Sequence, residues 1–283
     1  MLYESCIMAF VRFMDLDIQQ AVFEGENALR SVRSYLCVRH GDVLQEPKGG
    51  KEVVTEADRY VERLILDRLQ AVFPDWRYHS EESGGDVVAG EGLMWALDPI
   101  DGTTNFSSGL SGFASMLTLF DGEELIVSLV FDAVHNRMYR AIKGEGATVN
   151  GDPIRVSDRQ AFDRAQILYE VGYLPGEREF FYKVFETVGQ NVRSFRRLGC
   201  SGLSGAMIAQ GGFEALLSFG THPLHDVAPI ALLVREAGGL VTDFKGQTWR
   251  ATSPTPQVLL AAPQVHEQLL TYITSSLKEQ SFV

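Results

Sequence analysis

The sequence predicts a mixed α and β fold, built as a single unit with two lobes. Helical periodicity dominates the chain before Pro74, closely spaced strands follow from about Phe113, and strands alternate with helices beyond Pro153. No internal repeat or low-complexity linker separates these regions, so we expect lobes of about residues 14–153 and 154–283 to share one folded unit. The chain has 283 residues, 45% of them hydrophobic, which suffices for a large core.

Two helices are predicted before the strands begin. Apolar side chains recur every three or four residues from Ile18 to Leu36, which predicts one buried helix face that ends near Gly41. Thr55 and Asp58 have the spacing of a capping box, so a second helix is expected to begin at Thr55. Both helices should dock on a core through their apolar faces.

Strands are predicted along the rest of the chain. Apolar segments at 114–120, 125–131 and 137–142 are joined by short turns, which predicts an antiparallel sheet in an α+β first lobe. Strands and helices alternate in the second lobe, which is therefore predicted to be α/β. Its predicted elements lie near 166–171, 178–189, 192–195, 203–210, 214–219, 227–236, 240–243 and 258–262, and in a last helix from about 264.

The acidic charge of the chain limits the ligands that it can bind. A formal net charge of −12 argues against nucleic acid as a partner, because that binding draws most of its affinity from clustered Lys and Arg. An acidic protein that binds an anionic ligand needs a local positive charge, and bound divalent cations are the obvious source.

Cysteine content and hydropathy favour a cytoplasmic protein with no membrane partner. Cys6, Cys37 and Cys200 form no CxxC pair and leave one cysteine over, so neither a disulfide framework nor a zinc knuckle is indicated. No stretch reaches the roughly 18 apolar residues of a membrane helix, and the N-terminal segment lacks the features of a signal peptide. We expect residues 1–13 to be a disordered extension or a start-site artefact.

The segment LDPIDGTTNF, residues 97–106, concentrates carboxylates where an apolar strand is predicted to end. Pro99 stiffens the turn between Asp98 and Asp101. The two carboxylates and the Ile100 carbonyl can then converge on a hard cation, which prefers oxygen ligands. Aspartates in such segments more commonly cap the backbone of a turn, so the loop alone leaves both interpretations open.

The residues after Asp101 are suited to a phosphate group. Gly102 allows the backbone to approach a ligand closely. If Thr103 and Thr104 open a helix, their N–H groups and the positive end of the helix dipole can receive phosphate oxygens. One short loop would then supply both a metal site and a phosphate site.

The string DPIDGTTNF resembles the signature of the inositol monophosphatase family, in the Mg-dependent, lithium-sensitive phosphatase superfamily. Three further segments resemble that family, HSEESGG at 79–85, HDVAPIALLVREAGGLVTD at 225–243 and KGGKEVVTEAD at 48–58. The resemblance extends from about residue 15 over nearly the whole chain. It implies an αβαβα sandwich of the inositol monophosphatase/fructose-1,6-bisphosphatase type, two or three Mg²⁺ ions and a homodimer.

The resemblance also implies a role for each site residue. Asp58 and Thr103 would polarise the attacking water, which Glu81 would hold beside a metal ion. The implied metal ligands are Glu81, Asp98, the Ile100 carbonyl, Asp101 and Asp226. The implied substrate and phosphate contacts are Gly102, Thr103, Thr104, Ser201, Ser218 and Asp226, and the implied supporting residues are Lys48 and Glu82.

Each charged residue of this set has an ordinary structural interpretation when it is considered alone. Glu81 and Glu82 would form a solvated acidic turn, and Asp226 would cap the N-terminus of its helix. Asp58 would serve only in the capping box, and Lys48 would be an exposed loop charge.

The predicted reaction is hydrolysis of a phosphate monoester by direct attack of water. Oxygen ligands without a His or Cys cluster favour Mg²⁺ over zinc. A phosphoenzyme would need a nucleophilic aspartate in a DxD pattern, and Asp98 with Asp101 does not have that spacing.

The resemblance makes myo-inositol monophosphate the first candidate among small phosphorylated metabolites. The alternatives are histidinol phosphate, fructose 1,6-bisphosphate and 3′-phosphoadenosine 5′-phosphate, and a catalytically silent binding or regulatory protein is the alternative of another class. Ser218 stands where the family has a glutamate that holds a sugar hydroxyl, and His225 replaces the usual tryptophan near His222. The polyol contacts are therefore expected to differ. Arg196 and Arg197 are expected to serve surface or dimer contacts.

Overall fold

The computed structural model describes residues 18–49, 52–85, 91–172, 175–220, 223–252 and 257–278. The extension expected over residues 1–13 and the side chain of His222 lie outside these ranges. Among the described residues, no helix combines the length and the apolar character that a membrane crossing requires.

The helices form three layers that enclose two large sheets, so the predicted αβαβα sandwich is confirmed. A small hairpin of strands β1 (Gln45–Gly49) and β2 (Glu52–Thr55) precedes the third helix. The helices are α1 (18–31), α2 (Arg33–Arg39), α3 (Glu56–Val72), α4 (Thr103–Ser107), α5 (Pro175–Gly189), α6 (Ser201–Ala209), α7 (Leu224–Glu236) and α8 (Pro263–Lys278), with one 3-10 turn at Phe162–Arg164.

The first large sheet has eight strands and contains the predicted antiparallel segments. In spatial order the strands run β10-β9-β8-β7-β6-β5-β3-β4, and only β3 and β5 pair in parallel. Their bounds are β3 (Arg77–Ser80), β4 (Gly84–Gly85), β5 (Leu93–Asp101), β6 (Ala114–Asp121), β7 (Glu124–Asp132), β8 (Arg137–Ile142), β9 (Gly146–Val149) and β10 (Asp152–Pro153).

The second large sheet has five strands in the spatial order β12-β11-β13-β15-β14. Strand β11 pairs in parallel with β12 on one side and β13 on the other, while β15 is antiparallel to β13 and β14. The carboxyl ends of β12, β11 and β13 therefore lie at one edge. The bounds are β11 (Gln166–Val171), β12 (Ser194–Arg196), β13 (Ala215–Phe219), β14 (Leu240–Thr242) and β15 (Gln257–Ala261).

Alternating strand residues divide the interior into three apolar cores. Leu117 of β6 packs with the α1–α3 layer, whereas its neighbour Met116 packs with the α6–α7 layer between the sheets. In the second sheet Leu168 faces α6 and α7, and Ile167 faces α5 and α8. The middle helices are thus enclosed by both sheets, and charged or polar side chains that face this layer lie close to the centre of the molecule.

Several predicted boundaries differ from the structure. The first helix is interrupted at Val32, where α1 gives way to α2. Strand β5 does not end before Asp98 but continues to Asp101, with a register shift between these two residues. Helix α7 begins at Leu224 rather than Val227, because the polar residues before Val227 form its first turn. Strands β1 to β4 were not predicted, since they are short and rich in polar residues.

Candidate active site

Asp58 joins the start of α3 to the loop that opens α4. Its Oδ2 accepts hydrogen bonds from the Thr55 backbone N–H at 2.7 Å and from the Thr55 hydroxyl at 2.6 Å, and the Thr103 hydroxyl lies 3.1 Å from its Oδ1. The capping box and the position beside Thr103 therefore coexist in one carboxylate. Burial raises the pKa of Asp58 to about 6, against the lowering effect of the hydrogen bonds from Thr55 and Thr103.

Asp98 is a buried carboxylate with an unsatisfied oxygen. Its Oδ1 is enclosed by the protein and has no hydrogen-bond partner among the described residues. Burial raises the pKa of Asp98 well above its usual range, and the charges of Glu81, Asp101 and Asp226 raise it further. These carboxylates, from three separate segments of the chain, are therefore close enough to repel one another.

Asp101 is held by the beginning of α6. Its Oδ2 accepts hydrogen bonds from the Gly202 backbone N–H at 2.5 Å, the Cys200 thiol at 3.0 Å and the Ser201 hydroxyl at 3.2 Å. Burial raises the pKa of Asp101, while these donors act in the opposite direction. One oxygen is thus saturated by donors, which sets the orientation of the carboxylate.

Lys48 connects the β1–β2 hairpin to the turn that carries Glu81 and Glu82. Its Nζ lies 2.7 Å from Glu81 Oε1 and 2.6 Å from Glu82 Oε1. The backbone N–H of Glu82 donates to the Glu62 carboxylate at 3.0 Å, and the Glu81 N–H donates to the Leu97 carbonyl at 3.1 Å. The two glutamates are only partly exposed and are paired with Lys48, so the interpretation as a solvated acidic turn is wrong. Lys48 is exposed, as its ordinary interpretation expects, but it lies in β1 and forms ion pairs.

Asp226 lies in the first turn of α7 and is not the residue that caps it, which is Pro223. His225 precedes it and is buried, with Nε2 3.7 Å from Asp226 Oδ1. The His225 ring stacks on that of His79, with 5.8 Å between ring centroids. Burial lowers the pKa of His225 to about 4, so this ring is neutral at pH 7.

The donor set suits a hard divalent cation. A positive charge would satisfy the unpaired oxygen of Asp98 and relieve the repulsion among the carboxylates. In the described ranges no three His, Cys, Asp or Glu side chains already surround one point in coordinating geometry, and Glu81 is bound to Lys48 instead. The candidate ligands are all oxygen donors: Glu81, Asp98, the Ile100 carbonyl, Asp101 and Asp226.

The loop after Asp101 is shaped by a close backbone approach. Gly102 has φ +85°, and a Cβ at this position would stand 2.9 Å from the Gly112 carbonyl oxygen. Thr103 and Thr104 do open a helix, as expected, but α4 has only five residues, so the helix dipole contributes little to phosphate binding. The Thr103 hydroxyl also lies 3.0 Å from the Ile100 carbonyl oxygen.

Comparisons with known proteins show the family to which the chain is similar. The sequence profile of the inositol monophosphatase family matches residues 14–279. The chain belongs to this family. A relative from Thermotoga maritima, named fructose-1,6-bisphosphatase/inositol-1-monophosphatase, is 31% identical over 89% of this chain and 94% of its own length.

Two other similar proteins represent the range of names within the inositol monophosphatase family. A Pseudomonas aeruginosa relative named Nus factor SuhB is 34% identical over 77% of this chain and 84% of its own. The solved structure of a Thermotoga maritima IMPase has a TM-score of 0.81 and 29% identity, covering 95% of this chain and 99% of that one. The protein is accordingly a phosphatase of the inositol monophosphatase family.

This family member also contains an ion pair between a buried glutamate and an exposed arginine, which the sequence patterns did not predict. Glu170 of β11 is buried and accepts a hydrogen bond from Arg197 Nε at 3.1 Å, and Arg197 also donates to the Val171 carbonyl oxygen at 3.1 Å. Arg197 is exposed at the surface, as expected, and its guanidinium is also bound within the chain. The sequence signal for this pair was the position of the charged Glu170 two residues after Leu168, on the same face of the predicted strand.

Proposed function

We propose that this protein hydrolyses a small phosphate monoester with the help of divalent cations, Mg²⁺ first among them. The observation that carries the proposal is the Asp98 carboxylate, buried with an unpaired oxygen and surrounded by Glu81, Asp101 and Asp226. A purely structural site would not leave a buried carboxylate oxygen such as Asp98 Oδ1 unpaired close to other carboxylates, since buried charges are costly unless they are paired.

The chain's own residues would divide the reaction between them. Glu81, Asp98, Asp101, Asp226 and the Ile100 carbonyl would hold two or three ions. Bound Mg²⁺ at such a site supplies positive charge for the phosphate and makes a neighbouring water easier to deprotonate.

The Asp58–Thr103 pair is suited to orient the attacking water. The Thr103 hydroxyl has one proton, and its possible acceptors are Asp58 Oδ1 and the Ile100 carbonyl oxygen. When the hydroxyl donates to Asp58, its lone pairs can accept a hydrogen bond from water. As the water oxygen attacks phosphorus, a water proton would move to the Thr103 oxygen and the Thr103 proton would move to Asp58.

The phosphate side of the site is assigned to the loop that follows Asp101. Gly102, Thr103 and Thr104 would contact the phosphate oxygens through backbone N–H groups, and the close backbone packing at Gly102 fixes the loop. The Ser201 hydroxyl lies near this loop, 3.2 Å from Oδ2 of Asp101, the residue that precedes Gly102.

Myo-inositol monophosphate is the first candidate substrate, because the similar Thermotoga maritima protein is named for inositol-1-monophosphatase activity. The same name includes fructose-1,6-bisphosphatase, so fructose 1,6-bisphosphate is the nearest alternative. Histidinol phosphate and 3′-phosphoadenosine 5′-phosphate remain further alternatives for the same chemistry. Ser218 and Asp226 are proposed to contact the alcohol part of the ester.

A catalytically silent regulatory role is the alternative of a different class. The relative named Nus factor SuhB motivates it, because that name describes no hydrolytic activity. The complete set of candidate carboxylates and the Asp58–Thr103 contact favour catalysis. We place the enzyme in the cytoplasm as a homodimer, in keeping with its free Cys37 and Cys200 and its family.

The test is phosphate release by the wild-type protein with Mg²⁺ against inositol, histidinol, fructose and nucleotide phosphates. Asp98→Asn should abolish turnover on any compound that responds. Asp132→Asn is the matched control, because Asp132 is also buried but binds His135 at the end of β7, and it should retain activity. Wild-type inactivity on the whole panel would support the silent alternative.

A further inference from the structure

The Glu170–Arg197 pair lies where a sheet of this kind binds ligands. Glu170 is next to last in β11, Arg197 directly follows β12, and Ser218 of β13 is the register partner of Glu170. Strands β12 and β13 lie on opposite sides of β11, so the strand order reverses here. In open α/β sheets ligands bind outside the carboxyl ends of the strands at such a reversal.

The short segment of Gly199 and Cys200 connects the pair to the proposed phosphate loop. The Gly199 backbone N–H donates to Glu170 Oε1 at 3.1 Å, and the next residue, Cys200, is hydrogen-bonded to Asp101. A Cβ on Gly102 would stand 3.1 Å from the Gly199 carbonyl oxygen. The Glu170 carboxylate therefore lies beside the segment that packs against the proposed phosphate loop.

Glu170 retains hydrogen-bond acceptor capacity. Arg197 Nε donates to Oε2 and the Gly199 N–H donates to Oε1. The Ser204 hydroxyl lies 3.3 Å from Oε1, but its one proton is better placed on the Cys200 carbonyl oxygen at 2.8 Å. Because an ionised carboxylate offers about four acceptor sites, about two remain for a ligand.

The charge at this position favours hydroxyl groups over a second anion. The Arg197 charge is already matched by Glu170, and Asp101 adds a further negative charge nearby. A second phosphate would face the Glu170 carboxylate, whereas a hydroxyl can donate to it. Ser218, the register partner of Glu170 on β13, adds no charge beside this carboxylate.

We infer that Glu170 accepts hydrogen bonds from hydroxyl groups of the substrate's alcohol part and thereby selects polyol monophosphates, with Arg197 as its positioning residue. This inference rests on the proposed phosphatase function. It adds a residue of β11 to the proposed contacts of Ser218 and Asp226 with the alcohol part.

The experiment compares two substrates that share the phosphate but differ in hydroxyl groups. Kinetics with Mg²⁺ are measured on myo-inositol 1-phosphate and on p-nitrophenyl phosphate, which has no free hydroxyl on its leaving group. Glu170→Gln keeps the shape of the side chain and should lower kcat/KM for the inositol ester by about 10-fold or more, mainly through KM. The aryl ester should change by less than about 3-fold.

Two further variants separate recognition from folding. Arg197→Lys keeps the charge but loses the fixed guanidinium fork, so it should raise KM for the inositol ester alone, by less than Glu170→Gln. Glu214→Gln is the matched control, because Glu214 is likewise buried, paired with a partly exposed arginine, Arg159, and bonded to a backbone N–H and a serine. It should leave the ratio of the two kcat/KM values unchanged.

The outcomes distinguish this inference from the proposed function. Equal losses on both esters in Glu170→Gln and Arg197→Lys, or a wild-type preference for fructose 1,6-bisphosphate over the inositol ester, would overturn the role of Glu170 and leave the phosphatase assignment standing. If one variant fails to fold, the ratio of the KM values of the other variant for the two esters decides whether Glu170 has this role. Inactivity of the wild type on every ester would overturn both.

Discussion

The Thr103 hydroxyl lies 3.1 Å from Asp58 Oδ1, although α3 and the loop before α4 are far apart in the sequence. Asp58 Oδ2 is occupied by both donors of Thr55, so only Oδ1 is directed to Thr103. The capping box thus fixes the orientation of a carboxylate that would act through the threonine. The contact leads to the first of four predictions.

Removing the Thr103 hydroxyl should affect turnover more than folding. Thr103→Ala is expected to lower kcat by about 100-fold or more, the scale of a lost general-base contact, while Thr103→Ser should restore most of it. Steady-state kinetics and thermal unfolding measure the two effects. Equal activity of the alanine and serine variants would contradict the role of the hydroxyl.

Replacing Asp98 should stabilise the protein when no divalent ion is present. The pKa of Asp98 is raised in the folded state, so the folded protein binds more protons than the unfolded chain, and this contribution to stability is lost as pH rises through the folded pKa. Relative to wild type, Asp98→Asn should therefore gain more stability at pH 8 than at pH 5. Chemical unfolding in EDTA at both pH values measures this difference.

The comparison with the variant is needed because another group titrates in the opposite sense. The pKa of His225 is lowered to about 4, so its contribution to stability increases as pH rises from about 4 towards 6.5. This contribution is common to both proteins and cancels in the difference. An Asp98→Asn variant that was less stable than wild type at pH 8 in EDTA would contradict the proposed repulsion.

The Lys48 ammonium should compete with a divalent ion for Glu81. Lys48→Met removes a positive charge bonded to Glu81 and Glu82, so it is expected to lower the Mg²⁺ concentration that gives half-maximal thermal stabilisation, by about 3-fold or more. Lys143→Met is the control, since Lys143 pairs with Glu124 on the exposed β7–β8 side of the sheet. A higher Mg²⁺ requirement in Lys48→Met would show that the lysine supports the ion site instead.

A side chain at Gly102 should disrupt the phosphate loop. Gly102→Ala places a Cβ 2.9 Å from the Gly112 carbonyl at a positive φ, so we expect a loss of about 1–3 kcal/mol in stability and of most activity. Gly122→Ala is the control, because Gly122 also has a positive φ but has open space around its Cβ position. If both variants lost the same stability and activity, the close approach would not matter.

Local patterns predicted the helices and strands that carry strong periodicity. The capping box at Thr55, the buried face of α3 and the antiparallel strands β6 to β8 all depend on neighbours within a few residues. The resemblance, rather than spacing, predicted that Glu81 and Asp226 approach Asp98, because such contacts are set by the order of strands and the packing of α7. Sequence patterns contain no direct record of that order.

The Glu170–Arg197 pair likewise depends on the order of the strands and was not predicted from the sequence. Glu170 is one of several glutamates in the chain, and its burial follows from the pairing of β11 between β12 and β13. Arg197 belongs to a cluster that looks like an exposed basic surface in the sequence. Its hydrogen bonds to Glu170 and Val171 became visible only once the strands were placed side by side.

The proposed function requires that the carboxylates of Glu81, Asp98, Asp101 and Asp226 bind shared divalent ions. The most direct measurement is a crystal grown with Mn²⁺ in place of Mg²⁺, with anomalous scattering used to locate the ions. We expect anomalous peaks about 2.0–2.4 Å from carboxylate oxygens of Asp98 and of at least two of Glu81, Asp101 and Asp226. Well-ordered carboxylates with no peak between them at saturating Mn²⁺ would contradict this requirement.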